Sequence, residues 1–133
     1  MHPVTPQEAF RTLVARYERR EAEARVRAEG LRAAVYKSVP TLAAAACASE
    51  VWLFGSLVGP PEWAEPHEHS DIDLAVAGLD AAAFGRLAGD LFAALPVPAD
   101  IVHLERADAT LQGRILSHGE RVYARAADAE STP

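Results

Sequence analysis

The clearest hydrophobic pattern lies between Glu50 and Val76. A short apolar run, Val51 to Phe54, meets a Gly55-Ser56 turn and then a Pro- and acid-rich loop. A second run follows, in which carboxylates and aliphatics alternate: Asp71, Ile72, Asp73, Leu74, Ala75, Val76. Strand side chains point alternately to opposite faces, so positions i and i+2 share one face. A strand over 71–77 therefore projects Asp71 and Asp73 together and turns Ile72, Leu74 and Val76 into a core.

The preceding chain has helical spacing. Thr5 is a candidate cap with Pro6 at the first helical position, and helical character continues to about Ser38. Phe10, Val14, Tyr17, Ala24, Ala28, Leu31 and Val35 follow alternating steps of four and three, interrupted by Glu21 and weakened at Gly30. At 1.5 Å per residue this helix would be about 50 Å long, more than a small domain can cover. Part of it must project, pack on a partner or fold back near Gly30. Ser38, Val39 and Pro40 read as a break, followed by a second short helix over 39–48 that leads into the first strand.

Downstream, Gly78 turns the chain and Asp80 caps a helix whose apolar face is Phe84, Leu87, Ala88, Leu91, Phe92 and Leu95. Gly85 and Gly89 lie on another side, where they would permit close packing. Pro96 and Pro98 end that helix. A third strand, Asp100 to Leu104, precedes a helix over 109–118, capped by Asp108 and terminated by Gly119. Arg121 to Arg125 reads as a final edge strand, and the tail has a disorder-prone composition. This alternation gives an α/β (α+β) fold, a short strand set with helices on one face, whose strand order the pattern leaves open. The expected division is an N-terminal helical arm over 1–38, a domain over 39–125 and a disordered tail over 126–133.

Composition narrows the function. The 133 residues fit one domain, and half are apolar. The net charge of −6 argues against a partner such as long nucleic acid, which needs a basic face. The lone cysteine, Cys47, sits in an Ala-rich run and reads as a small buried hydrophobe. No apolar stretch is long enough to span a membrane and no leader is evident, so a cytoplasmic protein is expected.

Two carboxylates on one face repel each other unless a cation lies between them, and a hard, oxygen-seeking ion such as Mg2+ suits them. The Gly55-Ser56 turn offers backbone N–H groups and a hydroxyl to phosphate oxygens. Asp100 heads a strand that could lie beside Asp71 and Asp73, and three converging carboxylates would make a site for two divalent ions. The acidic, His-containing loop (Glu62, Glu65, His67, Glu68, His69) reads as solvated, and Trp63 on it reads as a loop anchor, with stacking on a nucleotide base as the alternative. His103 reads as a core-edge histidine facing away from Asp100. Arg106 and Arg114 are cations that could reach phosphates, with no position fixed.

The segments LFGS, SDIDLAV and ADIVHL, in this order, resemble the minimal nucleotidyltransferases of the DNA polymerase β superfamily over roughly residues 39–125. The resemblance implies a small mixed sheet flanked by helices and Mg2+-dependent transfer of a nucleotide, AMP from ATP. It implies that Gly55 and Ser56 hold the triphosphate and that Asp71 and Asp73 bind both Mg2+ ions. Asp100 would bind the ion at the attacking hydroxyl and help take its proton. It also implies a HEPN-type protein partner in a toxin–antitoxin module, with the nucleotidyltransferase as antitoxin modifying a hydroxyl of the toxin. The chain departs from the family pattern in a longer spacer, the 14 residues Leu57 to Ser70, and in having Val58-Gly59 where a cation is usual. Two further readings stand beside transfer to a protein. One is a catalytically inactive protein of the same fold that binds its partner; the other is transfer to a small, aminoglycoside-like molecule. The long helix is a candidate surface for a partner or for self-association into a homo-oligomer.

Overall fold

The computed structural model describes residues 3–58 and 72–126. Helix α1 spans Pro6–Ala45, 40 residues in one piece. Its start follows the sequence: the Thr5 hydroxyl accepts from the Glu8 N–H at 3.1 Å, and the Glu8 carboxylate accepts from the Thr5 N–H at 3.1 Å. This capping box satisfies two of the backbone donors that a helix start leaves open.

The expected break at Ser38–Pro40 and the separate helix over 39–48 are corrected, because α1 runs through Gly30 and Pro40 alike. Pro40 removes one backbone N–H and crowds the preceding turn, a penalty of roughly 3 kcal/mol. Val35, Val39 and Ala43 are fully buried at steps of four on one side of the helix. Each buried valine contributes roughly 1.5–3 kcal/mol, enough together to keep the helix continuous past the proline. Pro40→Ala is therefore expected to stabilise the protein by about 1–3 kcal/mol, by restoring the N–H bond to the Tyr36 carbonyl. Urea unfolding checks this.

Before Leu31 no residue of α1 is buried. Phe10, Leu13, Tyr17 and Val26 are each more than 60% exposed, so the first part of the helix extends past the domain rather than folding back at Gly30. The other end closes on Cys47, which is exposed rather than buried, a second correction. Cys47 has φ 62°, its N–H donates to the Ala44 carbonyl, and the Ala48 N–H donates to that of Ala43. This is the left-handed exit from a helix, a slot usually filled by glycine, and it turns the side chain outward.

Strands β1 (Glu50–Phe54), β2 (Ile72–Ala77), β3 (Ala99–His103) and β4 (Glu120–Ala124) form one sheet of order β3-β2-β1-β4. β1 is antiparallel to β2 and β4, whereas β2 and β3 are parallel and joined through α2 (Ala81–Ala94). Val51, Leu53, Ile72, Leu74 and Val76 meet α1 and α2 through Val35, Val39, Leu87 and Leu91. The opposite face, with Trp52, Ala75, Ala77 and Val102, packs against Leu104 and against Leu111 and Ile115 of α3 (Ala109–His118). Helices thus flank both faces, where the sequence suggested one. The hydrophobic residues at 111 and 115 need a surface of their own, and α3 follows β3 back across the other side.

Asp80 and Asp108 cap α2 and α3 as expected, each carboxylate accepting at 2.8 Å from the N–H three residues on. Phe92 is exposed instead of joining the apolar face of α2. Gly85 and Gly89 have no atom near enough to meet an added Cβ, so they serve no close packing with the described residues. Among those residues no helix is long and apolar enough to cross a membrane.

Candidate functional site

β1 ends at Phe54, which pairs with Asp73 of β2. Asp73 in turn pairs with Asp100 of β3 in the parallel ladder. Paired residues on neighbouring strands share a face, and strands lie about 4.8 Å apart, so Asp73 and Asp100 are neighbours on one face of the sheet. Their face is the one that α3 covers further along, at Ala75, Ala77 and Val102. Asp73 is half-buried and Asp100 is exposed, an arrangement open to solvent on one side. Asp71 lies outside the described residues, together with Trp63 and the acidic, His-containing loop. Among the described residues no group of three potential metal ligands occurs.

Directly after Phe54, a short 3-10 turn spans Gly55–Leu57, closed by the Val58 N–H donating to the Gly55 carbonyl at 3.1 Å. Gly55 has φ +78°, a conformation that L residues rarely adopt. A Cβ built on Gly55 would lie 2.4 Å from Asp73 Oδ2 and 3.2 Å from its Cγ. The glycine is what lets the turn's backbone come up against the carboxylate. Phosphate oxygens held by the turn would therefore meet the same cation as Asp73. Paired hard-oxygen ligands beside backbone donors are a donor set that fits Mg2+ and a triphosphate.

His103 lies on the other face, as expected. Its ring stacks on Phe84 with centroids 4.6 Å apart and planes 6° from parallel, and its Nε2 donates to the Leu79 carbonyl at 2.8 Å. Arg106 and Arg114 are exposed.

Sequence reasoning missed a second polar cluster that touches the turn. Arg32 Nη2 donates to both carboxylate oxygens of Glu120, at 2.9 and 2.8 Å, and its Nη1 donates to the Leu57 carbonyl at 3.3 Å. The Tyr36 hydroxyl donates to the same carboxylate. Arg32 and Tyr36 sit one turn apart beside the buried Leu31–Val35 stripe, the only local hint of a role. Their partner is more than 80 residues away.

Hydrogen bonds from Tyr36 first and Arg32 second hold Glu120 below its ordinary pKa of 4.5. The bond to Glu120, then burial, holds Tyr36 above 10.0. Glu120's contribution to stability is present above 4.5 and is lost as pH falls through its depressed folded value. That of Tyr36 is full below 10.0 and is lost as pH rises through its raised one. The stability gap between wild type and Tyr36→Phe is thus expected to be widest between these limits and to close outside them, as urea unfolding across pH would show.

Residues 41–128 match the family model described as polymerase beta nucleotidyltransferase, and the chain belongs to that family. No curated protein is similar enough to count as a match. Among solved structures, a chain of a mutant of the toxin–antitoxin MntA-HpeT is similar at 26% identity and a TM-score of 0.53, covering 71% of this chain and 77% of that one. A chain of a toxin–antitoxin with AMP-PNP is 29% identical at a TM-score of 0.50, covering 68% and 73%. A third is from a tri-AMPylated Shewanella oneidensis HEPN toxin in complex with MNT antitoxin, at 26% identity and 0.51, covering 71% and 74%.

Proposed function

We propose that this protein is the antitoxin of a toxin–antitoxin pair and transfers AMP from ATP to a hydroxyl of a HEPN-type partner. The observation that carries the reading is the pairing of Asp73 with Asp100 on adjacent parallel strands, against a glycine turn that leaves room for the Asp73 carboxylate. The similarity to chains of toxin–antitoxin structures, one with AMP-PNP and one with an AMPylated toxin, supports the choice of nucleotide and acceptor.

In this reading Gly55 and Ser56 hold the triphosphate by backbone N–H groups and a hydroxyl. Asp71, Asp73 and Asp100 hold Mg2+, two ions when the site is full. Bound there, Mg2+ supplies the positive charge that offsets the phosphates and eases ionisation of the acceptor hydroxyl. Asp100, the exposed member of the pair, faces the acceptor and takes its proton. The acceptor oxygen bonds to the α-phosphorus, the bond to the β-phosphate oxygen breaks, and pyrophosphate leaves. Asp73 keeps its place against the turn and fixes the angle between nucleotide and acceptor.

The exposed part of α1, ahead of Leu31, is the proposed docking arm for the partner, with residues 39–125 as the transferring unit. Incubation with α-labelled ATP, Mg2+ and the HEPN-type product of the neighbouring gene tests the reading. Label on the partner supports it. A tight complex without label would instead indicate an inactive binder, and label on an added aminoglycoside would indicate a small-molecule acceptor.

A further inference from the structure

The Arg32–Glu120–Tyr36 cluster lies outside the carboxylate site but touches its turn. We infer that Arg32 is a positioning residue for nucleotide binding: it fixes the Gly55–Leu57 turn through the Leu57 carbonyl, so that the seat of α1 on the sheet sets how well the turn grips phosphate. The inference rests on the functional reading above.

Three observations carry it. Arg32's two terminal guanidinium nitrogens are divided between two partners, Nη2 on Glu120 at the start of β4 and Nη1 on the Leu57 carbonyl. Nη2 on both oxygens of one carboxylate restrains the guanidinium, and because the group is planar this also limits where Nη1 can point. Nη1 reaches the last residue of the turn. Leu57 and Val58 also pack on the core cluster that includes Leu31 and Val35, so the same stretch of helix holds the turn by apolar contact and by a charged hydrogen bond. Finally, Gly55 stands so near Asp73 that no Cβ would fit between them, so a shift of the turn changes the phosphate cradle and its spacing from the carboxylate together. A partner that grasps the exposed part of α1 would act on the turn through this brace.

Tyr36 supplies the control. Its hydroxyl bonds to Glu120 and makes no bond to Leu57, so Tyr36→Phe loosens the cluster while Arg32 keeps both of its partners. The test is titration of α,β-methylene-ATP with Mg2+ into wild type, Arg32→Gln and Tyr36→Phe, with amide exchange followed at Val58. Arg32→Gln is expected to bind about five- to tenfold more weakly and to exchange faster at Val58. Tyr36→Phe should stay within about twofold of wild type on both readings. If Arg32→Gln fails to fold, Arg32→Lys is read in its place. One ammonium cannot span both partners, so about a two- to threefold loss is expected.

Unchanged affinity in the Arg32 variant overturns the inference. So does an equal loss in Tyr36→Phe, which would mean general loosening. A wild-type protein that binds no analogue overturns the functional reading, and this inference with it. That failure is distinct from one seen in the variants alone.

Discussion

Asp73→Asn is expected to reduce transfer of labelled AMP by about a thousandfold or more while leaving the fold intact. With Asp73 in the proposed metal-holding role, loss of its charge forfeits several kcal/mol of transition-state stabilisation, and each 1.36 kcal/mol is about tenfold in rate. The substitution is nearly isosteric, and Asp73 is half-buried at the end of a ladder whose backbone bonds do not depend on its side chain. The metal-free variant should therefore unfold within a few degrees of wild type. Mg2+ with an unreactive ATP analogue should raise the unfolding temperature of wild type and not that of the variant, because a ligand that binds only the folded state stabilises it by mass action. A variant that keeps both its activity and this ligand-induced shift would remove Asp73 from the site.

Gly55→Ala should lower activity far more than stability. The added methyl would lie 2.4 Å from Asp73 Oδ2, which no real contact tolerates. The carboxylate is the mobile end of its side chain, and the Asp73 Cβ is 3.5 Å away, an ordinary contact. Turning the Asp73 side chain about its Cα–Cβ bond moves both Oδ2 and Cγ out of the way, and the left-handed backbone adds about 1–2 kcal/mol. The turned carboxylate leaves its place beside the Gly55–Leu57 turn, and misplacement on this scale costs about a hundredfold in rate. Chemical denaturation and the transfer assay on the same preparation separate the two effects. Equal losses in both would mean the glycine serves only the turn.

The parts of the molecule readable from sequence were those whose causes are local. Alternation fixed β2 within a residue, the Asp80 and Asp108 caps lie where their carboxylates can reach an N–H three residues on, and Gly55 and Gly78 mark turns at positive φ. The misreadings came where distant groups decide. Pro40 carries a local penalty that the burial of Val35, Val39 and Ala43 outweighs, a balance invisible without the sheet. Cys47 has the composition of a core residue but occupies the left-handed position after α1, which depends on where the helix stops. α3 covers the second face of the sheet because the connection after β3 leads it there, and periodicity is silent on that choice.

The candidate site divides in the same way. Alternation could place Asp73 and Asp100 at the heads of their strands. Only the parallel register makes them partners, and register is set by the core residues on the opposite face. The Arg32–Glu120 bond joins residues at opposite ends of the chain, a contact no local pattern encodes.

In the proposed site Asp73 and Asp100 share a divalent ion with a nucleotide held at Gly55 and Ser56. Anomalous diffraction from crystals grown with Mn2+ and α,β-methylene-ATP tests this most directly. A metal peak is expected about 2.0–2.4 Å from oxygens of both carboxylates and of the triphosphate. A nucleotide bound elsewhere, or a metal that leaves Asp100 beyond ligand distance, would contradict the proposed site.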